Sequence, residues 1–168
     1  ILDQLVLHEG DLCDPASVDR IVLESAAEEI FNEADQDHVG FSYQTPGYSM
    51  DVTAKAVVNL LESVRLAGGS IRVFQPCSAT MFGAEPPPQN EGTRFAPQSP
   101  YAVAKCAAFY ACQHYRREYG MHVSTAIFYN HDSPRRSGDY LLHRIAKGAV
   151  AIARGKQERL ELSDLDLP

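Results

Sequence analysis

No apolar run in the 168 residues approaches the length of a membrane span; Val123 to Tyr129 is among the longest. No initiator Met and no charged-then-apolar leader open the chain, so the composition points to a soluble, cytoplasmic protein. Positive charge is scarce. Fifteen Lys and Arg stand against 22 Asp and Glu, a formal net charge of −7, and a nucleic-acid binder needs the opposite surplus to face phosphates. Cys-x-x-Cys pairing is absent: Cys13, Cys77, Cys106 and Cys112 are scattered, as are the six histidines, which predicts reduced, partly buried thiols and no structural metal.

What is present is enough apolar surface, 45% of residues, to bury the core of one domain. Residues 2–12 open as a short apolar strand that runs into a polar turn. Pro15 begins a helix capped by Asp14, with Val18, Ile21, Val22 and Ser25 on one face. A brief strand, Glu29 to Asn32, is followed by loop. Met50 to Leu66 forms a helix with a stripe of Val57, Leu60, Leu61 and Val64, stopped by Gly68-Gly69. Ile71 to Gln75 is the next strand, and the proline-rich run from Glu85 to Pro97 is long enough for a functional loop. Ser99-Pro100 caps a long helix that ends near Tyr119 with Gly120 as its stop. His122 to Tyr129 is a strand, and Asp139 to Arg154 is the last helix. Strands separated by helices of this length require a parallel sheet covered by helices, a doubly wound α/β, Rossmann-like fold.

Tyr101-Ala102-Val103-Ala104-Lys105 carries the strongest chemical signal. Residues four apart on a helix lie one above the other, roughly 6 Å along the axis, so phenol and ammonium face the same space. A fixed cation there favours phenolate and predicts a tyrosine pKa below the usual value of about 10. One strand earlier, Phe74-Gln75-Pro76-Cys77-Ser78-Ala79-Thr80 puts hydroxyls at the carboxyl end of a strand, where open parallel sheets bind ligands. Ser78 is placed to share a substrate oxygen with Tyr101.

Ser78, Tyr101 and Lys105, in this order and context, resemble the extended short-chain dehydrogenases. Tyr129-Asn130-His131-Asp132-Ser133-Pro134-Arg135-Arg136 resembles, more narrowly, the Asn-His-Glu-Ser-Pro-Arg-Arg segment of the GDP-mannose 4,6-dehydratases. Gly10-Asp11-Leu12, Gln36-Asp37-His38-Val39, Tyr48, Asp51-Val52 and Leu162 to Asp166 extend the likeness over nearly the whole chain. The resemblance implies a single partial NADP-binding domain over residues 1–168, incomplete on its amino-terminal side, with the substrate-domain contribution starting near 130–168. It implies a homodimer or homotetramer acting on GDP-mannose, by oxidation at C4, loss of water across C5 and C6, and return of the hydride to C6. By the same resemblance Asp11 and Leu12 flank the adenine, Glu33, Ala34, Asp35, Gln36 and Asp37 with Tyr48 line the cofactor channel, and Lys105 holds the nicotinamide ribose. His131 and Arg136 approach the cofactor, Asn130 and Arg144 the substrate.

Three departures bear on activity. The glycine-rich turn that sets a pyrophosphate on a helix N-terminus is not among these residues. Glu33-Ala34-Asp35 brings two carboxylates to a place where the family is apolar. Thr80 stands where the family has the Glu that removes the C5 proton, and a neutral hydroxyl is no base for that step. The segment Cys77 to Gly83 is instead similar to the strand end of nucleotide-sugar 4-epimerases. A 4-epimerase or ketosugar reductase is therefore the alternative enzyme, and a non-catalytic binding or assembly module the alternative of another kind.

Overall fold

The computed structural model describes residues 4–68, 70–135, 137–138 and 140–162. The chain divides into two compact units, residues 1–129 and 130–168. In the first, helix α1 (Pro15–Ser25) starts where expected: the Asp14 side chain accepts from the Ala16 amide and Pro15 takes the position that needs no amide hydrogen. Strand β1 (Glu29–Phe31) follows, then α2 (Val39–Gln44) and α3 (Pro46–Met50). A single π turn, Asp51–Lys55, joins α3 to α4 (Ala56–Ala67). Strand β2 (Arg72–Ser78) leads through a 3-10 turn, Ala79–Phe82, into the proline-rich loop. Helix α5 (Pro100–Tyr119), capped by the Ser99 hydroxyl and closed by left-handed Gly120, returns the chain to β3 (Val123–Phe128).

The three strands pair in parallel in the order β1-β2-β3, with Ile30 opposite Val73 and Val73 opposite Val123. A parallel sheet with flanking helices is the Rossmann-like fold that the order of elements predicts. Val18 and Val22 of α1, Val57, Leu60, Leu61 and Val64 of α4, and Ala108 and Cys112 of α5 close one core over Val73 and Val123. Each such aliphatic side chain, buried in full, contributes about 1.5–3 kcal/mol. The opposite face of the sheet carries a row of aromatic rings, Phe31 against Phe74 at 5.8 Å and Phe74 against Phe128 at 6.2 Å. All four cysteines are free, three of them buried, and burial pushes the Cys77 thiol up to about 12.

Two expectations give way. Residues 5–10 form no strand, and Leu5, Val6 and Leu7 are exposed. A strand exists only through its neighbours, and no strand among the described residues pairs with this run. The expected loop after Asn32 contains α2 and α3. His38 caps the first, its ring nitrogen accepting from the Phe41 amide, and Pro46 starts the second. Neither helix is long enough to show an apolar period.

The second unit consists of a loop and α6 (Leu141–Ala153). Leu160 folds back over Gly148, where a β-carbon would lie 2.8 Å from its Cδ1. No helix among the described residues is long and apolar enough to cross a membrane.

Gly83 ties the proline-rich loop to the end of β2. Its φ is +58°, and a β-carbon there would sit 1.8 Å from the Ala96 carbonyl oxygen. Gly83→Ala is therefore expected to cost at least about 1–3 kcal/mol from the backbone alone, read as a lower urea midpoint with an unchanged slope.

Candidate active site

Because all three strands run the same way, Asn32, Ser78 and Tyr129 leave the sheet at one rim. Helix α5 begins beside that rim, since Ser99 caps it and Ser42 of α2 accepts a 3.2 Å hydrogen bond from the Tyr101 amide. The first two turns of α5 thus bring Tyr101 and Lys105 against the end of β2. Both are buried, the lysine at 3% exposure.

The Ser78 Oγ accepts from the Thr80 amide at 3.2 Å and from the Thr80 hydroxyl at 2.9 Å. The Ser78 hydroxyl lies near enough to the Tyr101 phenol to favour its ionised form. Lys105 Nζ donates to the Pro76 carbonyl at 3.0 Å, meets Asp35 Oδ2 at 2.7 Å, and lies 5.6 Å from the centre of the Tyr101 ring. Asp35 Oδ1 accepts from the Thr53 hydroxyl, carried by the π turn, at 2.5 Å. Ser78, Thr80, Tyr101 and Lys105 come together as the sequence predicts, and Asp35 joins them.

The expected depression of the tyrosine pKa is corrected. Burial pushes the Tyr101 phenol well above its ordinary value, and the Asp35 carboxylate adds to the rise; the Ser78 hydrogen bond opposes both and loses. Asp35 accompanies the lysine, so the ammonium reaches Tyr101 as half of an ion pair. Coulomb attraction from such a pair is too small to offset desolvation. Exposed Asp37 raises the phenol further.

The other expected residues are spread more widely. Asp11 and Leu12 lie in the turn before α1, where Asp11 accepts from the Cys13 amide at 2.8 Å and the Leu12 carbonyl from Asn59 at 3.3 Å. Glu33 and Ala34 are exposed, as is Tyr48. Gln36 is buried in a structural pair, its carbonyl oxygen accepting from Ser49 at 2.8 Å and its amide donating to the His38 carbonyl at 3.1 Å. Asn130, His131 and Arg144 belong to the second unit, in which Arg144 donates to the Glu161 carbonyl at 3.3 Å; Arg136 lies outside the described residues. Sequence reasoning missed Thr53 and Ser42. Nothing local marks either, because each acts on a residue that only the fold brings near.

A cleft of about 530 Å³ opens at the other end of β2 and β3, lined by Arg65, Arg72, Tyr119 and His122. Its arginines are already engaged by Glu62 and Glu29, and no hydroxyl-phenol-amine group faces it. Among the described residues no group of three metal-ligating side chains occurs.

A parallel sheet that delivers a serine hydroxyl, a phenol and an ammonium to one rim is the framework of the short-chain dehydrogenases, and the comparisons narrow this class. The family model described as GDP-mannose 4,6 dehydratase matches residues 1–167. The chain belongs to that family. It is 41% identical over 163 residues to the GDP-mannose 4,6-dehydratase of Sinorhizobium fredii, covering 95% of this chain and 46% of the relative. With GDP-mannose 4,6 dehydratase 1 of Arabidopsis thaliana it shares 40% identity, over 95% of this chain and 45% of the relative. The chain thus spans about half the length of the curated relatives it matches. Among solved structures, RMD from Pseudomonas aeruginosa complexed with NADPH superposes with a TM-score of 0.87 at 25% identity, over 97% of this chain and 55% of that one. A UDP-glucose 4-epimerase of Thermotoga maritima shares the fold at a TM-score of 0.80 and 21% identity, over 92% of this chain and 51% of that one.

Proposed function

We propose that this chain carries the hydroxyl-handling site of a nucleotide-sugar enzyme of the GDP-mannose 4,6-dehydratase type, working with a nicotinamide cofactor, NADP. The observation that supports the reading most is the meeting of Ser78, Tyr101 and Lys105 at the carboxyl rim of β2, where Lys105 donates to the Pro76 carbonyl and lies 5.6 Å from the centre of the Tyr101 ring. A buried phenol and a serine hydroxyl suit a sugar oxygen that gains or loses a proton. Lys105 suits a ribose hydroxyl only once Asp35 gives way. A nicotinamide, when bound, supplies the centre that accepts and returns a hydride.

The protein groups then divide the work. Ser78 orients the C4 oxygen of the sugar, and Tyr101, ionised once Asp35 releases the Lys105 ammonium, takes the C4 hydroxyl proton as the hydride leaves C4. Thr80 points its hydroxyl hydrogen at Ser78, so it buttresses that serine and is no base for the C5 proton. In this reading residues 130–168 begin the sugar-nucleotide portion, with Asn130 and Arg144 toward substrate and His131 and Arg136 toward cofactor. Asp11, Leu12 and residues 33–37 with Tyr48 border the cofactor. A cytoplasmic homodimer or homotetramer acting on GDP-mannose belongs to the same proposal.

A second reading, reduction of a 4-ketosugar, is favoured by two observations. Tyr101 keeps its proton, as a donor to a C4 alkoxide must, and Thr80 offers no dehydration base. The two separate by mass spectrometry. GDP-mannose incubated with the chain and NADP is expected to lose one water if dehydration runs; unchanged GDP-mannose, together with NADPH consumed on a GDP-4-ketosugar, is the outcome for the reductase. No change in either mixture would remove both.

A further inference from the structure

Lys105 is buried with its charge already answered from within the chain. Its Nζ lies 2.7 Å from Asp35 Oδ2 and 3.0 Å from the Pro76 carbonyl, and the Tyr101 ring stands over it at 5.6 Å. An ammonium has three hydrogens to donate. Two have oxygen partners, and the third has an aromatic face beside it. The carboxylate is fixed as firmly as the amine: the Thr53 hydroxyl binds its other oxygen at 2.5 Å, and its side chain is 14% exposed. A ligand oxygen that takes the place of either oxygen partner displaces Asp35 or the Pro76 carbonyl, and Asp35 is the partner that carries a charge of its own.

We propose that Asp35 is an internal counterion that occupies the Lys105 ammonium and so acts as a positioning residue that lowers the site's affinity for a nicotinamide dinucleotide. The dinucleotide is anionic. At a lysine without a counterion it meets a positive charge; here it meets a neutral pair whose outer member is a carboxylate, with exposed Asp37 nearby in sequence. Binding through Lys105 requires Asp35 to swing away while Thr53 still holds it. Thr53 sits in the π turn, the one interruption in the helical run from Pro46 to Ala67, and that register directs its hydroxyl to Asp35. The ligand class rests on the cofactor reading above, whereas the ion pair does not.

Four full chains test this: the unaltered protein, Asp35→Asn, Lys105→Met and the double variant. Thermal melting is expected to show strong coupling, with the double variant losing far less than the sum of the two single losses, because each single change strands a buried charge and the pair of changes strands none. A single variant that does not fold beside a double variant that does is the same result in its extreme form. Simply additive losses would overturn the proposal. Titration with NADPH, followed by nicotinamide fluorescence, is expected to show Asp35→Asn binding about tenfold or more tightly than the unaltered chain, a difference of about 1.4 kcal/mol. A purely structural role for Asp35 would not tighten binding, and equal or weaker affinity in Asp35→Asn would overturn the proposal. If none of the chains binds NADPH, the cofactor reading fails, and the melting comparison alone decides whether Asp35 is the counterion of Lys105.

Discussion

Tyr101→Phe is expected to lower turnover on a nucleotide sugar by about 10²–10⁴-fold, the range for losing a positioned acid or base. The fold should survive the change. The ring is buried and stays, and what disappears is the phenol oxygen. NADPH affinity and melting temperature should therefore move little while turnover collapses, a pattern that a packing defect does not produce. The pH profile follows from the same geometry. Burial and Asp35 hold the phenol well above its ordinary value, so its acid form persists through neutral pH. A rate that uses Tyr101 as proton donor should stay flat up to the usual tyrosine range near 10 and fall only as pH passes the raised value. Asp35→Asn removes the second cause of the rise and should bring that fall to lower pH.

Lys105→Met carries the largest expected cost in stability, about 3–5 kcal/mol, because it leaves the Asp35 carboxylate in a largely dry site with only Thr53 as partner. Urea unfolding measures the loss directly. The slope should be preserved, since the surface exposed on unfolding hardly changes. A variant as stable as the parent would mean that the pair contributes nothing beyond what an apolar side chain of similar volume supplies.

Long elements with their own punctuation were legible in the sequence. Helix α5 runs from Pro100 to Tyr119 because Ser99 caps it, Pro100 needs no amide hydrogen and Gly120 accepts the left-handed turn, and all three signals are local. The same holds for α1 with Asp14 and Pro15. Once β2 and α5 were placed, Ser78, Tyr101 and Lys105 had to meet at the carboxyl rim, because parallel strands put all their ends on one side. Short elements were not legible. Helices α2 and α3 hold six and five residues and lack an apolar period. Leu5 to Leu7 look like a strand, and their hydrophobicity says nothing about whether a neighbour exists to pair with them.

The electrostatics of the site failed for a different reason. The spacing of Tyr101 and Lys105 is legible in the sequence, and nothing in that spacing reveals the carboxylate that opposes the lysine's charge. A buried lysine requires a counterion, and Asp35, from the loop after β1, is a residue that only tertiary structure brings there. The signal available beforehand was a carboxylate in a segment otherwise expected to be apolar. From sequence alone it is a repulsive charge in a channel, whereas in the fold it is the ion-pair partner of Lys105.

The most direct measurement uses GDP-mannose carrying deuterium at C4, mixed with the full chain and NADP. Hydride transfer at the Ser78 and Tyr101 rim is expected to move the label from C4 to C6 by way of the nicotinamide, and Tyr101→Phe should abolish the transfer. Deuterium that remains at C4 while NADP binds saturably would contradict a hydroxyl-oxidising site at this rim.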